Sequence, residues 1–408
     1  MGLDLTYKIS DVVNFSGSGG TPSRKNKEYY EKGTIPWLKT KELNDSKIFT
    51  TEEKITEEGY KNSSAKRFPV NTVTIAMYGA TVGKLGILKQ EMATNQACCN
   101  IVVDPKKCDY RFLFYYLKYN RKELVSLANG AAQQNLNQST ILNFPFPNIK
   151  LEEQVLIADI LSSFDDKIEN NNAIIANLEE QAQTIFKSWF VDFEPFQEEE
   201  YQESELGKIP KKWQVSSLDK MAIYKNGLAM QKYRPESEDD SLPVLKIKEL
   251  RANRTNSDSD RCTKEIPSDI LVENGDIIFS WSGSLLVEIW TGGTAGLNQH
   301  LFKVTSAKYH KWFYYYWTKY FLNQFIAIAR DRATTMGHIK RSHLKEAKIL
   351  IPDEETLQKM NKIMDPIVSN LVNLGIQNKK LEETRDILLP KLMSGEIRVE
   401  EAIEVEEM

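Results

Sequence analysis

The feature that most constrains this chain is Leu151 to Phe193, a run with neither glycine nor proline. Apolar or small residues return there every three or four positions, at Leu161, Phe164, Ile168, Ile175, Leu178, Ala182, Ile185 and Trp189, and Asn171 completes the rhythm. That is a heptad seam over about four heptads, the pattern of a helix packed lengthwise on another helix. At 1.5 Å per residue, some 38 residues would make a rod of roughly 57 Å. A rod in mid-chain holds other parts apart, so its flanks carry the function.

The flanks are two copies of one pattern. LPVLKIKEL from Leu242 repeats IPWLKTKEL from Ile35, with Pro, Leu, Lys, Lys, Glu and Leu identical. GDIIFSWSGSLL from Gly275 answers TVTIAMYGATV, Asn298-Gln299 answers Asn95-Gln96, and the aromatic run Lys311–Tyr316 answers Arg111–Tyr116. Leu381-Glu382-Glu383 repeats Leu178-Glu179-Glu180, so the helix recurs as well. The second seam is Met364, Ile367, Leu371, Leu374, Asn378, Leu381, Arg385, Leu388 and Leu392. The spacing of about 203 residues is far longer than a solenoid repeat and marks a duplicated globule-plus-helix. The expected fold is therefore α+β: two duplicated mixed α/β globules, separated by two long antiparallel coiled-coil helices with pseudo-two-fold symmetry.

The boundaries follow. Residues 1–150 form the first globule, 151–196 the central helix, 197–205 an acidic linker expected to be mobile, 206–352 the second globule, 353–395 the distal helix and 396–408 an acidic tail. Within the first globule, Val70 to Leu88 reads as strands and tight turns, and Tyr110 to Ser126 as an aromatic amphipathic helix. Pro366 is expected near a helix start or a kink, and Gly395 as a helix stop.

Charge follows these boundaries. Residues 1–150 carry 21 Lys and Arg against 14 Asp and Glu, and residues 206–352 carry 23 against 15. Residues 151–205 carry 2 against 15, and 353–408 carry 7 against 13, so the overall charge of −4 hides two basic globules between acidic helices. A basic globule suggests a polyanion partner. With 41% hydrophobic residues, the chain has the means to bury real cores. The start lacks a signal-peptide pattern and no run of 18 apolar residues occurs, so a cytoplasmic protein without a membrane span is expected.

Enzymatic signatures are missing. Gly79-Ala-Thr-Val-Gly83-Lys84 resembles a phosphate loop but is one residue short, with Leu85 where Ser or Thr would bind magnesium, so it reads as a glycine-rich turn. The chain has no GxSxG, HExxH or GxGxxG motif and no Asn-Pro-Pro-aromatic motif. Cys98, Cys99, Cys108 and Cys262 have no zinc or disulfide spacing, and His300, His310, His338 and His343 have no metal spacing. No catalytic residue, metal or cofactor is expected, and binding is the function that duplicated basic globules suggest.

GGTPS followed by IPWLKTKEL, GAAQQNL followed by FPFPNIKLEEQ, IPKKWQVSSL from Ile209, and LLPKLMSGEI near the C-terminus together resemble the specificity (S) subunit of Type I restriction-modification enzymes. The resemblance covers essentially the whole chain. It implies two target-recognition domains, each reading one half of a bipartite double-stranded DNA site. It also implies helices that set the half-site spacing and dock two methyltransferase (M) subunits, a core that endonuclease/translocase (R) subunits join. Methylation, ATP hydrolysis and cleavage would lie in those partners. Another reading of the same residues is a non-enzymatic coiled-coil scaffold with two protein- or RNA-binding domains.

Polar residues in loops or at strand ends are the candidate DNA contacts. In the first globule they are Lys39, Lys41, Tyr78, Lys84, Asn95, Gln96, Gln133 and Asn135; in the second, Lys246, Lys248, Arg251, Trp281, Asn298, Gln299, His338 and Lys340. Lys and Arg suit phosphates and guanine, while Asn and Gln suit adenine. The residues expected to carry the helix–helix contact are Leu161, Phe164, Ile168, Ile175, Leu178, Ile185, Trp189, Ile367, Leu371, Leu381, Leu388 and Leu392.

Overall fold

The structure, a computed structural model, describes residues 5–128, 135–237, 240–331 and 337–397. It divides into two compact units, residues 1–167 with 382–408, and residues 168–381. The two long helices, Leu151–Phe190 and Glu354–Ser394, each contribute one end to either unit.

In the first unit the β-rich run builds two sheets. One has the strand order Val13–Ser18, Cys98–Val103, Val73–Ala76, Leu85–Leu88, Ser46–Ile48. The other has the order Lys54–Ile55, Ile35–Leu38, Met92–Thr94, Arg67–Phe68. Val73–Ala76 and Leu85–Leu88 are buried at every position, which explains why they read as continuous apolar runs rather than alternating ones. The pair Trp37–Ala93 runs parallel and its neighbours antiparallel, so the sheet is mixed.

The second unit repeats this topology. Its sheets run Ile223–Asn226, Leu301–Thr305, Ile277–Ser280, Leu286–Ile289 and Arg261–Thr263, Ser241–Leu245, Ala295–Leu297, Leu271–Val272. The parallel pairing of Trp37 with Ala93 recurs, as Val244–Gly296. The first unit alone adds an edge strand, Ser46–Ile48, parallel to Gly86–Leu88.

The aromatic segment of each globule is a helix buried on nearly all sides. In the first, Asp109 caps Tyr110–Tyr119 by accepting from the amides of Arg111 and Phe112, and Phe112 to Leu117 are buried. The expected helix to Ser126 breaks at Asn120 into a second short helix, Arg121–Ser126. Tyr115 donates to Asp165 of the first long helix at 2.6 Å, and Arg111 pairs with Asp159. In the second unit, Trp312 to Thr318 of the helix Lys311–Tyr320 are buried. Phe186 and Phe190 of the first long helix meet Trp317 with ring centroids 5.0 and 5.1 Å apart. Trp312 donates to Asn361 of the second long helix at 2.8 Å, so this aromatic helix lies on both rods. Truncating a ring such as Phe186 to Ala would cost about 3–5 kcal/mol.

The rods bury a wider face than the heptads alone require. Leu161, Phe164, Trp189, Leu371, Leu388 and Leu392 are buried, while Ile168, Ile175, Leu178, Ile185, Ile367 and Leu381 are half-buried. Phe186, Phe190, Val368, Leu389 and Met393, outside the expected seam, are buried as well. Three-way packing of each rod, against its partner and a globule, broadens the apolar stripe beyond the a and d positions. Within the second unit, Asn171 meets Asn378, and Ala182 to Trp189 share one core with Met360 to Leu371, so the helices run antiparallel there. In the first unit Arg385 pairs with Asp165.

Helix ends differ from the simplest reading. The first long helix stops at Phe190; Phe193, at φ 53°, turns the chain into a short 3-10 segment and packs against Trp213 and Tyr201. The acidic stretch expected only as a linker supplies Tyr201–Ser204, a strand paired with Gly207–Pro210. The second long helix continues through Pro366, well inside its span, where the ring faces solvent. Gly395, at φ 71°, ends it, with the Glu396 amide donating back to Lys391. Among the described residues no helix is long and apolar enough to cross a membrane.

Candidate nucleic-acid interface

In each globule three segments converge around the Asn-Gln pair. The first is the glycine loop that follows the opening edge strand. In the first globule the Gly20 amide donates to Thr94 O at 2.9 Å, and in the second the Leu228 amide donates to Leu297 O at 2.9 Å. Glycine is needed beside both contacts because of space. A Cβ on Gly19 would lie 1.8 Å from Thr94 O, and one on Gly227 would lie 2.2 Å from Asn298 O.

The second segment is the Asn-Gln turn itself. The Asn95 amide donates to Leu38 O and its side-chain oxygen accepts from the Ala97 amide at 3.2 Å. Asn298 does the same with Leu245 O and the His300 amide, at 3.3 Å. Both asparagines therefore close Asx turns, and their recurrence reflects backbone geometry. The glutamines that follow project differently: Gln96 is exposed and accepts from Thr21, whereas Gln299 lies half-buried against the His300 ring.

The third segment is the strand end with the loop that precedes the last short helix. The Met77 amide donates to Ala97 O and the Leu136 amide to Met77 O. In the second globule the Trp281 amide donates to His300 O and the Ile339 amide to Trp281 O. This register makes Met77 the counterpart of Trp281, and Tyr78 that of Ser282. Gly79 and Gly283, at φ 76° and 67°, follow in both. Trp281 stacks on Phe302 at 5.7 Å and lies 6.1 and 6.3 Å from the rings of His300 and His338. Ser282 Oγ and His300 Nδ1 are 2.9 Å apart, and Ser282 forms a β-bridge with His338.

Trp281, Asn298, Gln299 and His338 thus come together in the second globule, and Tyr78, Asn95, Gln96 and Asn135 flank the same turn in the first. Tyr78, Asn135 and His338 are exposed. Gln133 lies outside the described residues. His300 and Ser282, absent from the candidates, are part of the cluster. A search for identities between the repeats passes over them because the first globule has Ala97 and Tyr78 in their places.

The cations divide into two groups. Lys39 pairs with Glu53, and Lys246 with Asp260, the acid standing fourteen residues on in both globules. Glu42 and Glu249 accept from the amides of Lys39 and Lys246, so KxxE recurs as a helix-start device. Lys84 pairs with Asp45 at 3.0 Å and Lys41 with Glu52. Burial alone would raise the Asp45 carboxyl, but Arg121, Lys84 and the Leu85 amide outweigh it and hold it below its ordinary value. Lys248, Arg251 and Lys340 are exposed. Gly79–Thr81 is a single 3-10 turn leading into the strand Leu85–Leu88, whereas a phosphate loop leads into a helix. Among the described residues no three His, Cys, Asp or Glu side chains group as metal ligands.

A cluster of hydrogen-bonding and aromatic side chains on a duplicated frame, beside exposed cations, is suited to reading base edges next to phosphates. Comparison with known proteins agrees with the duplication. A family model described as the Type I restriction modification DNA specificity domain matches twice, over residues 5–180 and 210–383. The Type I restriction enzyme MjaIX specificity subunit of Methanocaldococcus jannaschii is 32% identical, over 97% of this chain and 93% of its own length. The EcoR124I/EcoR124II specificity subunit of Escherichia coli is 24% identical over 40% of this chain and 41% of its own. The fold is shared with the crystal structure of the Type-I restriction-modification system S subunit from M. genitalium, at a TM-score of 0.57 and 18% identity, covering 95% of both chains. The chain belongs to the Type I restriction modification DNA specificity family.

Proposed function

We propose that this chain is the DNA sequence-recognition subunit of a Type I restriction-modification complex, and that each globule reads one half of a bipartite site. The observation that carries this is the repeated frame with unlike side chains: Met77, Tyr78, Ala97 and Asn135 in one copy, Trp281, Ser282, His300 and His338 in the other. One frame gives both copies the same approach to duplex DNA, and different side chains give each its own base pairs.

The chain itself performs no methyl transfer, ATP hydrolysis or cleavage. Those steps belong to two M subunits docked along the rods and to R subunits that join them. The length of the helices sets the gap between half-sites. Four residues added within the first long helix, which ends at Phe190, contribute one turn, about 6 Å of rise and about 40° of net rotation. One base pair contributes about 34–36°. The expected methylated motif has unchanged halves and a gap one base pair longer.

Domain replacement tests the central reading. Residues 206–352 are exchanged for another recognition domain in cells that carry the M subunits, and the methylated motif is read by single-molecule sequencing. One half of the motif should change. A change in both halves contradicts independent reading, and the absence of any bipartite motif from the native complex removes the proposal.

A further inference from the structure

The second globule holds a side-chain arrangement that the first does not. Four segments meet in it: the strand end Trp281-Ser282, the turn Gln299-His300, the loop at His338, and Phe302 beneath. His300 is its centre. Its backbone closes the Asn298 turn and accepts from the Trp281 amide. Its Nδ1 is held by Ser282 Oγ at 2.9 Å, and its Nε2 lies 3.5 Å from Gln299 Nε2. The ring is thus fixed from one side, and Gln299 is positioned against the other. His338 is exposed at the rim, next in space to Ser282 through the β-bridge. Exposed Lys340 follows two residues later, and Arg341, next to it, donates to Tyr224 O at 3.3 Å and lies over the Phe302 ring.

We propose that Gln299 and His338 are base-contacting specificity residues of the second globule, that they read purine edges in the major groove, and that His300 is the positioning residue that aims Gln299. Three observations converge on this. A carboxamide matches the N6/N7 edge of adenine in a bidentate pair, and an imidazole N–H donates to a purine N7. Gln299 and His338 sit on different chain segments brought to one cluster around Trp281, His300 and Ser282, which suits contact with neighbouring base pairs. Exposed Lys340 beside them suits a phosphate, and phosphate contacts fix the register of a protein on the duplex. In the first globule the positions of His300 and His338 hold Ala97 and Asn135, and Gln96 is bound by Thr21 instead. The glutamine is common to both copies, but the group that aims it differs, so the two half-sites differ there.

The inference rests on the recognition function proposed above. The test is the double variant His300→Ala with His338→Asn, which grafts the first globule's residues into the second, assembled with its M subunits. The probes are a duplex carrying the native methylated motif and a scrambled duplex of equal length. The expected result is a motif that stays intact in one half and becomes degenerate at one or two positions in the half assigned to residues 206–352 by domain replacement. Preference for the motif duplex should fall about tenfold or more, while affinity for the scrambled duplex and its salt dependence stay constant. A merely structural role would weaken both duplexes alike. If the double variant does not fold, the single variant Gln299→Ala decides, because that side chain holds no turn; it should relax the same half. An unchanged motif, or equal loss on both duplexes, overturns the assignment. A native complex that yields no bipartite motif would instead overturn the recognition function itself.

Discussion

Asn171 donates through Nδ2 to Oδ1 of Asn378 at 2.8 Å, across the paired helices and almost fully shielded from water. Asn171 Nδ2 also reaches Gln377 Oε1, and Asn378 Nδ2 reaches Asn172 Oδ1, each at 2.8 Å. The amides that interrupt the heptad seam therefore satisfy one another. Such a pair pins register, because a slip of one helix leaves each amide facing a hydrocarbon neighbour. Asn378→Ala leaves the Asn171 donors short of a partner and should cost about 1–3 kcal/mol. The double variant Asn171→Leu with Asn378→Leu should be neutral or more stable, because both polar groups are removed together. Denaturant midpoints of the two variants check this; equal loss in both would show that the pair itself, and not an orphaned amide, carries the stability.

The first unit has a charged counterpart. Arg385 pairs with Asp165, which also accepts from Tyr115, and only 11% of the Arg385 side chain is exposed. Arg385→Ala leaves a carboxylate in a poorly hydrated site and should cost about 3–5 kcal/mol, read from thermal unfolding. Arg385→Met together with Asp165→Leu should recover most of that loss. No recovery would place the cost in Tyr115 and Asp386, which both lose a partner in the double variant.

Asp45 gives the first unit an acid sensitivity. Its folded carboxyl lies below its ordinary 3.8, so the unfolded chain binds the proton first as pH falls. The stability it contributes is present above that ordinary value and is lost as pH falls through the folded value. Asp45→Asn should flatten the decline in unfolding midpoint between about pH 5 and pH 2, while lowering stability at neutral pH. A decline as steep as the native one would assign the sensitivity to other carboxylates.

Gly227→Ala tests the frame under the reading cluster. The new Cβ would meet the backbone carbonyls of Asn298 and Leu297 at 2.2 and 2.4 Å, and neither has a flexible end to yield. The turn must move or the strand must detach, at a cost of more than about 2 kcal/mol. In the assembled complex the half-site read by residues 206–352 should relax while the other half is kept. Unchanged stability would mean that the glycine loop has room the structure does not give it.

All four cysteines are free and buried. Burial pushes the Cys99 thiol up to about 12, and Cys98, Cys108 and Cys262 rise for the same reason. A thiol reagent at mildly alkaline pH should label none rapidly in the native protein and all four after denaturation. Fast labelling of any one would place it at a surface.

The sequence alone determined the duplication, the long helices and the division of charge, because each is a pattern along the chain. A 3.5-residue rhythm reports a helix facing a helix whatever surrounds it, and a repeat at about 203 residues reports two copies of one frame. It also placed the Asn-Gln turn, since identical dipeptides in equivalent positions mark equal backbone demands. Roles within the turn were not legible. Asn95 and Asn298 hold the chain, whereas the glutamines beside them take no part in the turn, a distinction made by hydrogen bonds to residues two and more than fifty positions away. Lys39 and Lys246 recur because an acid just before the neighbouring strand holds each in place. The one-residue register that makes Met77 the equivalent of Trp281, and the union of Ser282, His300 and His338, exist only when three distant segments are paired. The breadth of the buried face on each rod was likewise decided in three dimensions. A heptad records one neighbour, whereas Phe186, Phe190 and Val368 are buried within a core that joins the rods to the globule. Periodicity carries information about local geometry; which polar group is spent on the fold and which is left for a ligand depends on partners that only tertiary packing supplies.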